Sequence, residues 1–292
     1  MTMKPGGPKS ARLLHLRAVA KHVGQTFASH PATSAILVFG SVAHGQVDKL
    51  SDVDLLIACR SAVPPLADRK EILNAIGSEW RFDRQHEGSL FRVVDEDGHV
   101  ADVSVTVHYQ TIAWIDAVLD AVLEYGAITT EQMPFRPYTV PALFQRAWVL
   151  LDRDGDVARW RAASTNYPSL LQVNILRHVV PDLREHVDEL MRTADRGLGA
   201  RNFIFFLNAA VDDLTSILFA LNGVYDPADR RMHTTIVPFL PYLPTGYVAT
   251  MTEVLEGPFD LNGALRRAQL FERLAMDVVR KASDVLGADA YA

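Results

Sequence analysis

The chain has 292 residues, 49% of them hydrophobic and 22% charged, with a formal net charge of −6. That length allows one large domain or two ordinary ones around a real core, and the composition is that of a soluble globular protein. The acidic balance disfavours a strongly basic nucleic-acid binder, and a single cysteine, Cys59, excludes an internal disulfide and points to a reducing, cytoplasmic compartment.

Residues 1–9 are rich in Gly, Pro and Lys and read as a disordered tail, with no signal-peptide pattern after it. Leu13, Leu16, Val19, Val23 and Phe27 recur at spacings of three and four, which predicts an amphipathic helix over 11–29. His30-Pro31 stops it. The apolar run 34–39 ends at Gly40 and reads as a buried strand, and a second strand is expected over 52–59. A short helix is predicted at 67–77 and strands at 89–94 and 99–109, with Asp95-Glu96-Asp97-Gly98 as the hairpin turn between them.

From Thr111 the texture changes to helical periodicity, with helices expected over 112–125, 141–151, 168–194, 201–221, 231–239 and 261–286. Pro134, Pro137 and Pro141 punctuate the passage, so the domain boundary is expected at 127–140: a catalytic domain over 1–130 and a helical domain over 131–292. The most apolar helix, 203–221, is interrupted by Asn208, Asp212 and Asp213, which argues against a membrane span.

The chemistry concentrates in ILVFGSVAHGQVDKLSDVDLLI, residues 36–57. Side chains alternate along a strand, so Asp52 and Asp54 share one face while Val53, Leu55 and Ile57 point into a core. Two carboxylates held this close repel each other, and a hard divalent cation such as Mg²⁺ removes that penalty. Gly40 lets a ligand approach the backbone, and Ser41 offers a hydroxyl and an N–H to a phosphate oxygen. In VADVSVTV, Asp102 shares a face with Ser104 and Thr106 and is the candidate third carboxylate. Three converging carboxylates would hold two metals about 3.5–4 Å apart, suited to in-line displacement at phosphorus.

At these residues the sequence resembles the nucleotidyltransferase superfamily related to DNA polymerase β. Its signature is a Gly-Ser, about ten residues, then Asp-x-Asp, with a third Asp on a later strand; Gly40, Ser41, Asp52, Asp54 and Asp102 are the matching positions. The wording GSVAHG and SDVDLLI is similar to the branch of antibiotic-modifying and minimal antitoxin-type members. The resemblance implies an α+β fold, with a mixed sheet, flanking helices and an all-α C-terminal domain that binds the acceptor. It also implies two Mg²⁺ ions, ATP as donor, and transfer of AMP to a hydroxyl of a small molecule such as an aminoglycoside or a lincosamide. A homodimer is compatible with it, and nucleic acid or a membrane is not the expected partner.

The competing readings are nucleotidylation of a protein or RNA, as in toxin–antitoxin pairs, and a silent nucleotide-binding module. In the C-terminal half, Leu221, Asn222, Gly223 and Tyr225 are similar to a helical domain often attached to nucleotidyltransferases, with Arg230 or Arg231 where a Lys is more usual. Asn208 and Asp212 share a helix face, and Asp212 or Asp213 is a candidate general base or anchor for a cationic acceptor. His44 and Lys49 are secondary candidates for phosphate contacts, Arg92 is expected to pair with a carboxylate rather than bind substrate, and Arg177, His178, Arg184 and His186 suggest a polar cleft face. Asp152, Asp154 and Asp156 lack the length and distal Glu of a calcium loop.

Overall fold

The computed structural model describes residues 8–84, 95–133, 136–228, 232–258 and 260–287. In chain order the first part runs α1 (Pro8–Ala28), β1 (Thr33–Val38), α2 (Gly40–His44), β2 (Val53–Cys59), α3 (Leu66–Asn74), β3 (Ser78–Arg84), β4 (Asp95–Val100), β5 (Val103–Thr111), α4 (Ile112–Tyr125), α5 (Val140–Arg146), β6 (Trp148–Asp152) and α6 (Asp156–Ala163). The strands form one mixed sheet in the order β3-β4-β5-β2-β1-β6. The β2–β5 pair is parallel and the other neighbouring pairs are antiparallel.

β1 and β2 take the middle of the sheet because both are nearly continuous apolar runs, and such strands need cover on both faces. All of β1 is buried, and in β2 only Asp54 is not. One face is covered by α1, whose Leu16, Val19, Val23 and Phe27 pack with Val53, Leu55, Ile57, Val103, Val105 and Val107. Phe27 meets the Tyr109 ring edge-on at 5.8 Å. Cys59 sits in this core, and burial pushes its thiol up to about 12, as expected of an inert side chain.

Several expectations need correction. Residues 95–98 are not a hairpin turn; they belong to β4, and the turn is Ala101-Asp102, with Ala101 at φ 54°. The single strand expected over 99–109 is therefore split between β4 and β5. The helix expected over 141–151 ends at Arg146, and Trp148–Asp152 pairs with β1 as β6. β-branched and aromatic character (Trp148, Val149) won over the apparent helical period. β3 and α6 had no sequence-level counterpart. The strand expected over 89–94, with Arg92, lies outside the described residues, as do residues 1–7 of the tail; Pro8 already opens α1.

Contacts divide the chain into two units, Met1–Val122 with Thr129–Asn166, and Leu123–Ile128 with Tyr167–Ala292. The expected boundary at 127–140 thus precedes α5, β6 and α6, which complete the first unit. The second unit is helical: α7 (Ser169–Asp195), α8 (Ala200–Leu221), α9 (Met232–Thr235), α10 (Tyr247–Glu256) and α11 (Leu261–Leu286). The fold class is α+β as expected, a mixed sheet with flanking helices followed by an all-helical region.

By length and composition α8 could cross a membrane, but 56% of its most apolar window is buried within the protein. Its core stripe is Phe203, Leu207, Ala210, Leu214 and Ile217, while Phe206 is only half-buried.

The Leu-Asn-Gly-x-Tyr segment ends α8. Gly223 takes the left-handed conformation (φ 62°), and Tyr225 is buried with its ring 4.8 Å from that of Tyr167. Asn222 donates to the Tyr242 carbonyl (3.0 Å) and accepts from the Tyr242 N–H (2.6 Å), so it ties the connection before α10 to the end of α8. Asn222→Ala is expected to cost about 1–3 kcal/mol by leaving both Tyr242 groups without that partner. Urea unfolding measures it. Arg230 and Arg231 lie outside the described residues.

Candidate active site

The site is built where β1 ends beside the start of β2. The Phe39 N–H donates to the Asp54 carbonyl (3.0 Å), which holds the end of β1 against β2 one residue before Gly40. Gly40 has φ 62° and opens α2, and a Cβ built on it would lie 3.2 Å from Asp54 Oδ2. The Gly-Ser turn and the Asp54 carboxylate are therefore neighbours, and the left-handed backbone favours glycine where a Cβ would sit close to that carboxylate. Gly40→Ala is expected to destabilise the protein by about 1–2 kcal/mol through its left-handed backbone, and to press on the Asp54 carboxylate. Chemical denaturation checks the first effect.

Asp52 is delivered by a small turn of its own. Asp48 Oδ1 accepts from the Leu50 N–H (2.9 Å) and from the Ser51 hydroxyl (3.2 Å), and Ser51 Oγ accepts from the Asp48 N–H (2.9 Å). Asp48, not Asp52, closes that turn. Asp52 is exposed and Asp54 half-buried, two residues apart at the start of β2. Neither Asp48 nor Ser51 stood out in the sequence; the side-chain-to-backbone pattern of an Asx turn was the available signal.

Asp102 does not lie on β5 as expected. It sits in the turn before that strand, its side chain is 69% exposed, and its carboxylate turns to α1. There it meets His15 Nε2 at 2.7 Å and Arg12 at 3.4 Å, and the His15 hydrogen bond, followed by its own backbone and the nearby charges, holds it below the usual carboxylate range. Arg12 also donates to the Ser51 carbonyl (3.2 Å), so this contact network ends one residue short of Asp52. The cause is the split of the expected strand: the left-handed Ala101 breaks the alternation that would put Asp102 on the face of Ser104 and Thr106. Among the described residues, no group of three or more His, Cys, Asp or Glu side chains is placed to hold a metal.

The residue across from Asp54 on β5 is Thr106, and the next one across, on β4, is Asp97. The Thr106 hydroxyl donates to Asp97 Oδ1 (2.9 Å). Two residues along, Leu56, His108 and Asp95 form the next row on the same face, and His108 Nδ1 lies 2.6 Å from Asp95 Oδ1. Burial opposes the charged form of His108. The hydrogen bond and charge of Asp95, with the charges of Asp54 and Asp97, outweigh it and raise the imidazole above its ordinary value.

Asp52 and Asp54 offer carboxylate oxygens, the donor type that a hard divalent ion takes. Mg²⁺ binds through one or two carboxylates and completes its shell with substrate phosphates and water. The glycine beside Asp54 leaves open the space that any side chain would fill.

The secondary candidates have other work. Arg146 donates to His44 Nδ1 (3.3 Å), and Lys49 is exposed in the turn. Asp152 accepts from the Val157 and Ala158 N–H groups at the start of α6, and Asp154 is paired with Arg60 and Ser34. In the helical unit Asp213 accepts from His186 (2.6 Å), while Asn208 and Asp212 are exposed on α8.

Residues 19–129 match the model of the nucleotidyltransferase domain family, a span that holds β1 through α4 and every candidate ligand above. A nucleotidyltransferase-like protein from Exiguobacterium sibiricum 255-15 is similar in structure, with 12% sequence identity over 94% of this chain and 78% of that one and a TM-score of 0.44. None of the curated proteins matches the chain. The domain match supports the superfamily read from Gly40-Ser41 and Asp52-x-Asp54.

Proposed function

We propose that the protein transfers a nucleoside monophosphate, AMP from ATP, to a hydroxyl of a small molecule of the aminoglycoside or lincosamide kind, in the cytoplasm. The observation that carries this is the contact between the Gly40 turn and the Asp54 carboxylate, with Asp52 exposed two residues before it. Asp52 and Asp54 would hold Mg²⁺, which when bound neutralises triphosphate charge and lowers the pKa of a hydroxyl. A phosphate seat at Gly40-Ser41 uses the Ser41 hydroxyl and backbone where glycine leaves no side chain in the way.

The second ion of the two-Mg²⁺ scheme loses its expected ligand, because Asp102 is engaged by His15 and Arg12. Asp52, Asp54 and the triphosphate itself are the oxygen donors that remain for both ions in this reading. Acceptor recognition is assigned to the helical unit, where Asn208 and Asp212 are exposed on α8.

The test is incubation with each of the four α-labelled nucleoside triphosphates, Mg²⁺, and panels of aminoglycosides and lincosamides. A soluble product heavier by one nucleoside monophosphate, with pyrophosphate released, is the expected result. Label in a protein or RNA band of an added lysate would replace the small-molecule acceptor with a macromolecular one. Label nowhere, with nucleotide bound, would make the protein a binding module.

A further inference from the structure

The helical unit holds a cavity of about 240 Å³ that the nucleotidyl-transfer reading does not use. Its wall takes Thr193 from the end of α7, Gly199, Ala200 and Phe203 from the start of α8, and Leu261 and Ala264 from the start of α11. We propose that it is a binding site for a small organic anion, a carboxylate on an apolar body of about ten non-hydrogen atoms. The inference does not depend on the nucleotidyl-transfer reading.

The apolar half of that ligand follows from the wall. Phe203 is buried, Ala200 and Ala264 are small, and Leu261 lines the cavity with 58% of its surface left to solvent. A Cβ built on Gly199 would meet nothing within 4 Å, so the chain itself leaves that space open. A cavity of about 150 Å³ is enough for a benzene ring, so this one takes a ring or short alkyl chain together with an acid group.

The anionic half follows from the helix ends. α8 is 22 residues long, and Gly199 at its N-cap has no side chain with which to cap it. The first bond of the helix runs from the Phe203 N–H to the Gly199 carbonyl (3.2 Å), which leaves the N–H groups of Ala200, Arg201 and Asn202 without a partner inside the helix. Such an end carries partial positive charge and takes carboxylates. The two other helix ends at the cavity are already satisfied. Asp260 Oδ1 accepts from the Gly263 N–H (2.7 Å) and caps α11. The end of α7 closes on itself, the Gly197 N–H on the Ala194 carbonyl (3.2 Å) and the Leu198 N–H on the Thr193 carbonyl (3.1 Å).

Thr193 points to a ligand independently of α8. It is 3% exposed, and its hydroxyl makes no hydrogen bond among the described residues. Thr215, equally buried on α8, settles its hydroxyl on the Val211 carbonyl (2.7 Å). The Thr193 oxygen has no such outlet, yet it is not sealed in the core, and the space beside it is this cavity. A hydroxyl left so costs stability until something accepts from it. An anion seated on the N–H groups of α8 does so. The Arg267 guanidinium, 5.0 Å from the centre of the Phe203 ring, adds a cation close by.

The test is calorimetric titration of the full-length protein, without nucleotide or Mg²⁺, with 3-phenylpropionate, octanoate and the two corresponding alcohols. The acids are expected to bind one to one and about tenfold tighter than the alcohols, the weight of a charge on a helix end with its hydrogen bonds. Thr193→Val keeps the side-chain shape and loses the hydroxyl. It is expected to weaken the acids about three- to tenfold, leave the alcohols unchanged and keep the thermal midpoint level or higher. Thr193→Ser is expected to hold the wild-type preference, which a merely structural role of the residue would not require. Ala264→Met fills the cavity and is expected to abolish binding of acids and alcohols alike. In ¹⁵N spectra the acid-induced amide shifts are expected to centre on residues 199–202. Failure of both acids to bind saturably overturns the proposal, as do acids that bind no tighter than the alcohols. Unchanged acid affinity in Thr193→Val, or amide shifts centred elsewhere, overturns it as well.

Discussion

Asp54→Asn is expected to reduce nucleotidyl transfer about a thousandfold while leaving the fold intact. A divalent ion supplies several kcal/mol of transition-state stabilisation in phosphoryl chemistry, and each 1.36 kcal/mol is a factor of ten. Asparagine keeps the shape of the side chain beside Gly40, so the packing there is preserved. It removes one of two like charges two residues apart, Asp52 just before β2 and Asp54 on it. In metal-free protein that relieves repulsion, so the unfolding midpoint is expected to stay level or rise as activity collapses. Asp52→Asn should behave alike. Initial rates of pyrophosphate release, with thermal unfolding of the same samples, measure both. A variant that loses stability and activity together would move Asp54 from chemistry to structure.

Arg69→Ala should have the largest effect on stability, about 3–5 kcal/mol. Arg69 on α3 and Glu96 on β4 form an ion pair whose side chains are 6% and 0% exposed. Arg69 also donates to the Pro64 carbonyl (2.9 Å) and lies over the Tyr109 ring (5.3 Å), while Tyr109 donates to Glu96 (2.6 Å). Burial first, then Glu96, pushes the Tyr109 phenol well above its ordinary value, so it remains a donor across the working range of pH. Truncating Arg69 removes the cation paired with Glu96 and leaves that carboxylate buried in the core. Against a total stability of about 5–15 kcal/mol, that loss is decisive. Replacing both partners, Arg69→Met with Glu96→Leu, removes the uncompensated charge and is expected to recover much of it. Guanidinium unfolding of the single and double variants gives the comparison.

Most of what the sequence disclosed was disclosed by periodicity. α1, α4, α7, α8 and α11 repeat their apolar residues at helical spacing over three turns or more, and their predicted spans agree with the structure within a few residues. β1 and β2 announced themselves as apolar runs closed by Gly40 and opened by Asp52. The misreadings fall where two signals compete over a few residues. Asp95-Glu96-Asp97-Gly98 has the composition of a turn, yet Glu96 is recruited as the buried partner of Arg69, twenty-seven residues away, and local propensity yields to that contact. Reading those four residues as a turn placed Asp102 on a continuous strand and hid the Asp95–His108 pair. β6 was lost for a related reason: five half-buried residues following a short helix give no alternation to detect. The nearness of Gly40 and Asp54 was legible because the end of β1 stands beside the start of β2, so spacing along the chain and position in space coincide for that part of the candidate site. Its other half depends on which residues stand across from β2, and register between distant strands is not written in either strand alone.

A crystal structure of the protein with Mg²⁺ and a non-hydrolysable ATP analogue tests the central claim most directly. The account predicts the metal on the carboxylates of Asp52 and Asp54 and the triphosphate lying against Gly40 and Ser41. A triphosphate bound elsewhere, or metal density with neither aspartate among its ligands, would contradict it.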